Sequence, residues 1–160
     1  MSEKVLKAIN FAIESYNYET AEFLCERIPD SKIILQRIYY LQGKHKKAIK
    51  LLEFKYESIV LYARSCLKLS MFKECEEVVH KGLLLELLDL QKSCLFNILG
   101  ILYKNTNPKN AIFYLLQAVE FNPLDYHSYT LLCELLHPIK PSEYLKSSLI
   151  YKAYPTVVCF

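Results

Sequence analysis

Apolar residues recur at every third or fourth position along almost the whole 160-residue chain, the period of one buried helical face, and no stretch keeps the alternation a strand requires. In the first segment Val5, Ile9, Ala12 and Ile13 share a face, and Ser2 stands where it would cap a helix over 2–16. A second helix is predicted over 19–28, stopped by Pro29 and Asp30. Ser31 is placed to cap a third over 31–41, and Gly43 to turn the chain into a fourth over 44–54. The next pair covers 57–69 and 71–81, with Gly82 as its C-terminal cap. Residues 83–88, Leu-Leu-Leu-Glu-Leu-Leu, form a link compatible with a helical extension. Beyond it a pair over 90–105 and 108–121 is expected, Pro108 being tolerated in a first turn. Asn122 and Pro123 break the chain before a helix over 125–136, and a short helix over 142–151 precedes the tail. The expected fold class is all-α.

Small residues set a longer period. Ala21, Ala48, Cys75 and Ala111 each lie on an apolar-striped segment, at intervals of 27, 27 and 36 residues. One helix must approach its neighbour closely at the same point in each unit, which Ala or Cys permits and Leu does not. The spacing predicts a stack of helical hairpins. Its units are about 2–28, 31–54, 57–82, 90–123 and 124–137, with a short helix and tail over 138–160.

The fourth unit carries the fullest motif. Phe96, Leu99, Gly100 and Tyr103 follow the W-x2-L-G-x2-Y pattern with Phe for Trp, and Ala111, Leu115, Ala118 and Pro123 complete it. Gly100, without a Cβ, lets its helix lie close against the next. The units resemble tetratricopeptide repeats, which implies a helical-hairpin solenoid of about four to five degenerate repeats. Three further matches occur in order: the run from Ala12 to Ile28, Tyr-Tyr-Leu-Gln-Gly-Lys at 39–44, and Phe121-Asn122-Pro123 followed by Leu132-Cys133-Glu134. Together they resemble the N-terminal repeats of the cell division cycle protein 27 family, scaffold subunits of the anaphase-promoting complex, over most of 8–136. The first repeats and the link after the third are shorter than in that family. The resemblance implies homodimerisation, assembly with other subunits of that ubiquitin ligase in cell-cycle control, and a location in nucleus and cytoplasm. It also implies that the pocket for activator tails, which belongs to the family's C-terminal repeats, is not part of the matching region.

Composition narrows the chemistry. A net charge of +3 with interspersed signs gives no basic stripe for nucleic acid. Glu3, Lys4 and Lys7 are unlike a secretory signal, and Glu86 and Asp89 interrupt the longest Leu cluster, so neither export nor a membrane span is expected and the chain reads as intracellular. Cys25, Cys66, Cys75, Cys94, Cys133 and Cys159 sit at helical core spacing, as reduced thiols would. His45, His80, His127 and His137 have no partners at metal-ligand spacing, and no phosphate loop or nucleophile elbow is present. No metal, cofactor, small-molecule substrate or catalytic residue is therefore expected. The run Lys44-His45-Lys46-Lys47 reads as a solvated helix start rather than a nuclear-localisation or acidic-partner patch.

Counting from the small residues places Ile33, Arg37 and Tyr40, then Val60, Arg64 and Leu67, then Asn97 and Ile101, on an inner groove. Aliphatic, Tyr and Arg side chains suit an amphipathic helix there. Helix one, with Val5, Leu6, Ile9, Phe11 and Ile13 spread over more than one face, is expected to pack into the groove of a second copy. The alternative is a monomeric adaptor whose groove takes a partner's peptide or amphipathic helix.

Overall fold

A computed structural model describes residues 3–136, and among them nine α-helices and one 3-10 turn occur, with no strand. The architecture is all-helical and of the tetratricopeptide-like repeat kind. Ser2 and the expected helix over 142–151 lie outside the described residues. The chain divides between Val78 and Val79 into two compact units.

The first unit runs through α1 (Glu3–Glu14), α2 (Tyr18–Cys25), α3 (Lys32–Leu41), α4 (His45–Ala48), a 3-10 turn (Ile49–Leu51), α5 (Tyr56–Lys68) and the opening of α6 (Phe72–Leu83). Its core gathers Ile9, Ala12, Ile13, Ala21, Cys25 and Ile38, with Val5, Tyr18, Leu24, Ile28, Ile34 and Leu35 packed against them. Ala21 and Ala48 are wholly buried, as close packing of neighbouring helices demands.

Three turns in this unit are built alike. Tyr16, Gly43 and Ser70 adopt φ of 58°, 71° and 59°, and they stand 27 residues apart. After each, the next N–H reaches five residues back: Asn17 to Ala12 at 2.8 Å, Lys44 to Tyr39 at 2.8 Å, Met71 to Cys66 at 2.9 Å. The turn residue itself bonds three back, to Ile13, Tyr40 and Leu67. This paired pattern satisfies the last carbonyls of a helix and calls for a left-handed residue at its end. In each hairpin the small residue follows the turn by five positions, at Ala21, Ala48 and Cys75.

Several predicted bounds move. The 19–28 helix ends at Cys25, because the single Ser31 O–H, with the Cys25 carbonyl oxygen at 2.6 Å and that of Ile28 at 2.8 Å, bonds back to this turn and tightens it. Ser31 thus makes no side-chain cap on α3. The 44–54 helix ends at Leu51, since Glu53 N–H donates to Ser58 Oγ at 2.9 Å and draws the chain into α5. Gly82, expected as a cap, lies buried inside the last turn of α6. That end closes instead with bonds from Leu84 N–H to Lys81 and Leu85 N–H to Gly82. Residues 84–88 are not helical, and Gln91 Oε1 accepts the Leu88 N–H to open the next helix.

The second unit holds α7 (Asp89–Tyr103), α8 (Pro108–Phe121) and α9 (Tyr126–Leu136) after the end of α6. Here α7 lies along α8, and α8 packs on α9. Leu115, Val119, Leu131 and Leu132 form the core cluster. A Cβ at Gly100 would lie 2.5 Å from Leu115 Cγ, so the close approach expected of this glycine is real, and its counterpart is a leucine side chain. Asn107 caps α8 by accepting Asn110 N–H, and Pro108 occupies its first turn.

Candidate functional site

The structure separates the expected interface residues into buried and displayed groups. Ile9 and Ile13 belong to the first unit's core, at 0% and 8% exposure, so the breadth of apolar positions on α1 reflects packing against α2 and α3. Val5 joins them as a half-buried neighbour and Leu6 is half-buried, leaving Phe11, 71% exposed, as the large apolar residue α1 displays.

On α3, Ile33 and Tyr40 are half-buried and Arg37 is exposed; on α5, Val60 and Leu67 are half-buried and Arg64 is exposed. The two helices pack together, so the same three-residue pattern recurs on adjacent elements. Tyr40 rests edge-on against His45, ring centroids 5.4 Å apart.

Asn97 and Ile101 have a different role. Asn97 is buried, its amide donating to Ser128 Oγ at 2.7 Å with His127 Nδ1 at 3.2 Å, while Ser128 Oγ donates to Asp125 at 2.6 Å. Ile101 packs on the core of the second unit. A polar residue read as lining a groove instead ties α7 to the start of α9. The buried Ser128, outside the repeat motif, is the partner that sequence inspection passes over.

Repeat-motif residues hold the hairpins together. Cys75, Leu99, Ala111 and Ala118 are fully buried, and Pro123 is half-buried after the end of α8. Phe96 stacks on Phe121 (5.7 Å) and Tyr114 (6.3 Å), and Tyr103 stacks on Tyr114 (5.6 Å). The motif's aromatic positions are therefore one side of a ladder whose other side, Tyr114 and Phe121, is spaced seven apart on α8. That spacing was visible in the sequence.

The lysine run is partly neutralised within the chain. Lys44 Nζ lies 2.7 Å and Lys47 Nζ 3.5 Å from the Glu22 carboxylate, and the hydrogen bond from Lys44 holds that carboxyl below its usual range. Lys47 also sits 5.0 Å over the Tyr39 ring. Burial, with Glu22 and Glu26 close by, pushes the Tyr39 hydroxyl up to about 12.

Cys25, Cys66 and Cys75 are buried free thiols, and Cys94 and Cys133 are half-buried; Cys159 lies outside the described residues. Burial raises Cys66 to about 11 and Cys75 to about 12. Cys75 Sγ donates to the Ala63 carbonyl at 3.5 Å. Among the described residues no cluster of three or more His, Cys, Asp or Glu could hold a metal ion, and no helix is long and apolar enough to cross a membrane.

No curated protein matches the chain. Residues 14–82, from the last residue of α1 to Gly82 in α6, match the model of the family described as anaphase-promoting complex, cyclosome, subunit 3, and this segment is similar to that family of repeat subunits.

Proposed function

We propose that the chain is a non-catalytic scaffold of the anaphase-promoting-complex type, and that its N-terminal repeats pair two copies. The family match over 14–82 carries this reading. The displayed side chains of the first unit support it: Phe11 on α1 supplies an apolar anchor, and Ile33, Tyr40, Val60 and Leu67 on α3 and α5 supply half-buried apolar surface flanked by Arg37 and Arg64. In the proposed dimer α1 of each copy lies against α3 and α5 of the other, an isologous arrangement. The other partners are neighbouring subunits of the same ubiquitin ligase, in nucleus and cytoplasm, where the work is assembly in cell-cycle control. The cysteines favour a non-catalytic role, because burial that raises Cys66 and Cys75 opposes the thiolate a nucleophile needs.

The test is mass by sedimentation at micromolar concentration for the parent and for Phe11→Glu. A dimeric parent and a monomeric Phe11→Glu with unchanged helicity are expected. Ile9→Glu is unsuitable, since Ile9 is core. A dimeric variant moves the interface off α1. A monomeric parent favours the second reading, an adaptor whose α3 and α5 surface takes a partner's amphipathic helix, for which the mixed aliphatic and arginine lining is the supporting observation.

A further inference from the structure

Between α1 and α2 the chain leaves a hollow of about 520 Å³ lined by Ser15, Tyr16, Asn17, Tyr18, Glu19 and Gln42. We infer that this hollow is a binding site for an arginine side chain of a partner protein. It goes beyond self-association, and its readout does not depend on the oligomeric state.

Tyr16 is the first observation. Its φ of 58° is left-handed, and the equivalent turn of the next hairpin holds Gly43. A bulky residue kept in that conformation at a cost, and 79% exposed as a residue, packs little of itself against the unit that bears it. Strain of this sort collects at binding sites.

The shape of the lining is the second. The Tyr16 and Tyr18 rings meet nearly at right angles, 81°, with centroids 6.2 Å apart, so that they form an aromatic corner. A planar cation stacks on such a face more readily than an ammonium does. The same unit already contains the geometry, for the Arg27 guanidinium lies 3.5 Å over the Phe23 ring.

Charge is the third. The hollow is lined by a carboxylate, Glu19, and by no cation. Glu19 is exposed and makes no salt bridge among the described residues, whereas nearby Glu22 is held by Lys44 and Lys47. The Gln42 side chain also lines the hollow. An aromatic corner beside an unpaired carboxylate matches a flat cation that only donates, and a guanidinium offers five N–H donors with a fixed positive charge.

The probe is N-acetyl-arginine N-methylamide, titrated into the full chain while the tyrosine ring resonances are followed by NMR, with the neutral N-acetyl-citrulline N-methylamide as comparison. Saturating shifts of the Tyr16 and Tyr18 rings are expected, at least fivefold weaker affinity for the citrulline compound and for Glu19→Gln, and loss of the Tyr18 response in Tyr16→Gly. Tyr16→Gly also relieves the turn, so its thermal midpoint should not fall. Shifts that do not saturate, equal affinity for the two probes, or an unchanged Tyr18 response in Tyr16→Gly would overturn the assignment.

Discussion

Gln36 and Ser58 hold each other from both ends. The Ser58 hydroxyl donates to Gln36 Oε1 at 2.6 Å, and the Gln36 amide donates back to the Ser58 carbonyl at 3.2 Å. Both residues are fully buried, and Ser58 Oγ also accepts the Glu53 N–H. A buried polar group that loses its partner forfeits far more than the bond contributes when whole. Ser58→Ala is therefore expected to cost about 2–3 kcal/mol, because it strands Gln36 Oε1 and the Glu53 N–H together. Gln36→Leu should cost about 1–2 kcal/mol. The double variant should be less damaged than the sum by about 1 kcal/mol, as coupled neighbours are. Urea unfolding of the four proteins checks this, and strict additivity would mean that the pair is not coupled.

The three turns at Tyr16, Gly43 and Ser70, built alike, form a graded series. A Cβ at Gly43 meets nothing within 4 Å, so substitution there is penalised by backbone conformation alone. Gly43→Ala should lose about 1 kcal/mol, Gly43→Asn less, and Gly43→Val more, since Asn tolerates this region and a β-branched residue does not. Ser70, at φ 59°, should respond in the opposite sense, with Ser70→Gly neutral or stabilising by up to about 1 kcal/mol. Denaturation midpoints decide it: a stabilised Gly43→Ala would contradict the assigned turn.

Much of this was legible in advance, for identifiable reasons. Helical period and the small residues at 21, 48 and 75 depend on close packing, which constrains residue size, so they marked where neighbouring helices meet. The 27-residue interval from Gly43 lands on Tyr16 and Ser70, but residue type hid the turns, because neither Tyr nor Ser is the expected left-handed residue. Helix ends were less readable. Ser31 has the composition of a cap yet spends its hydroxyl on Cys25 and Ile28, a choice that only the fold determines. Ile9 shows the limit for sites: an apolar residue on a terminal helix reads equally as core or as interface until the neighbours are known.

The thiols give a pH dependence with a definite sign. An unfolded chain ionises its cysteines near 9.0, while the folded chain keeps Cys66 protonated to about 11 and Cys75 to about 12. Their contribution is thus fully present below pH 9 and is lost as the pH climbs from 9 towards 12, because the unfolded state releases those protons first. Tyr39, raised from 10.0 to about 12, acts in the same direction over the upper part of that window. Thermal midpoints should fall steadily above pH 9, and less steeply in Cys75→Ala. At pH 8, iodoacetamide with peptide mapping should modify Cys94 and Cys133 ahead of Cys25, Cys66 and Cys75. Early labelling of Cys75 would contradict its burial.

Gly100 tests whether packing or propensity governs the α7 and α8 pair. Helix propensity alone favours Gly100→Ala by about 1 kcal/mol. The new Cβ, however, would stand 2.5 Å from Leu115 Cγ, and Leu115 is fully buried with the branch point of its side chain at the contact. Overpacking of a filled core costs about 1–3 kcal/mol, so the steric effect should win and Gly100→Ala should lower the unfolding midpoint. Leu115→Ala in the same chain should remove the collision but open space beside Val119, Leu131 and Leu132. In the Leu115→Ala background, Gly100→Ala should therefore turn from harmful to neutral or favourable. Calorimetry on the two singles and the double reads that reversal directly. If Gly100→Ala is equally harmful with and without Leu115, the glycine is required for some reason other than this contact.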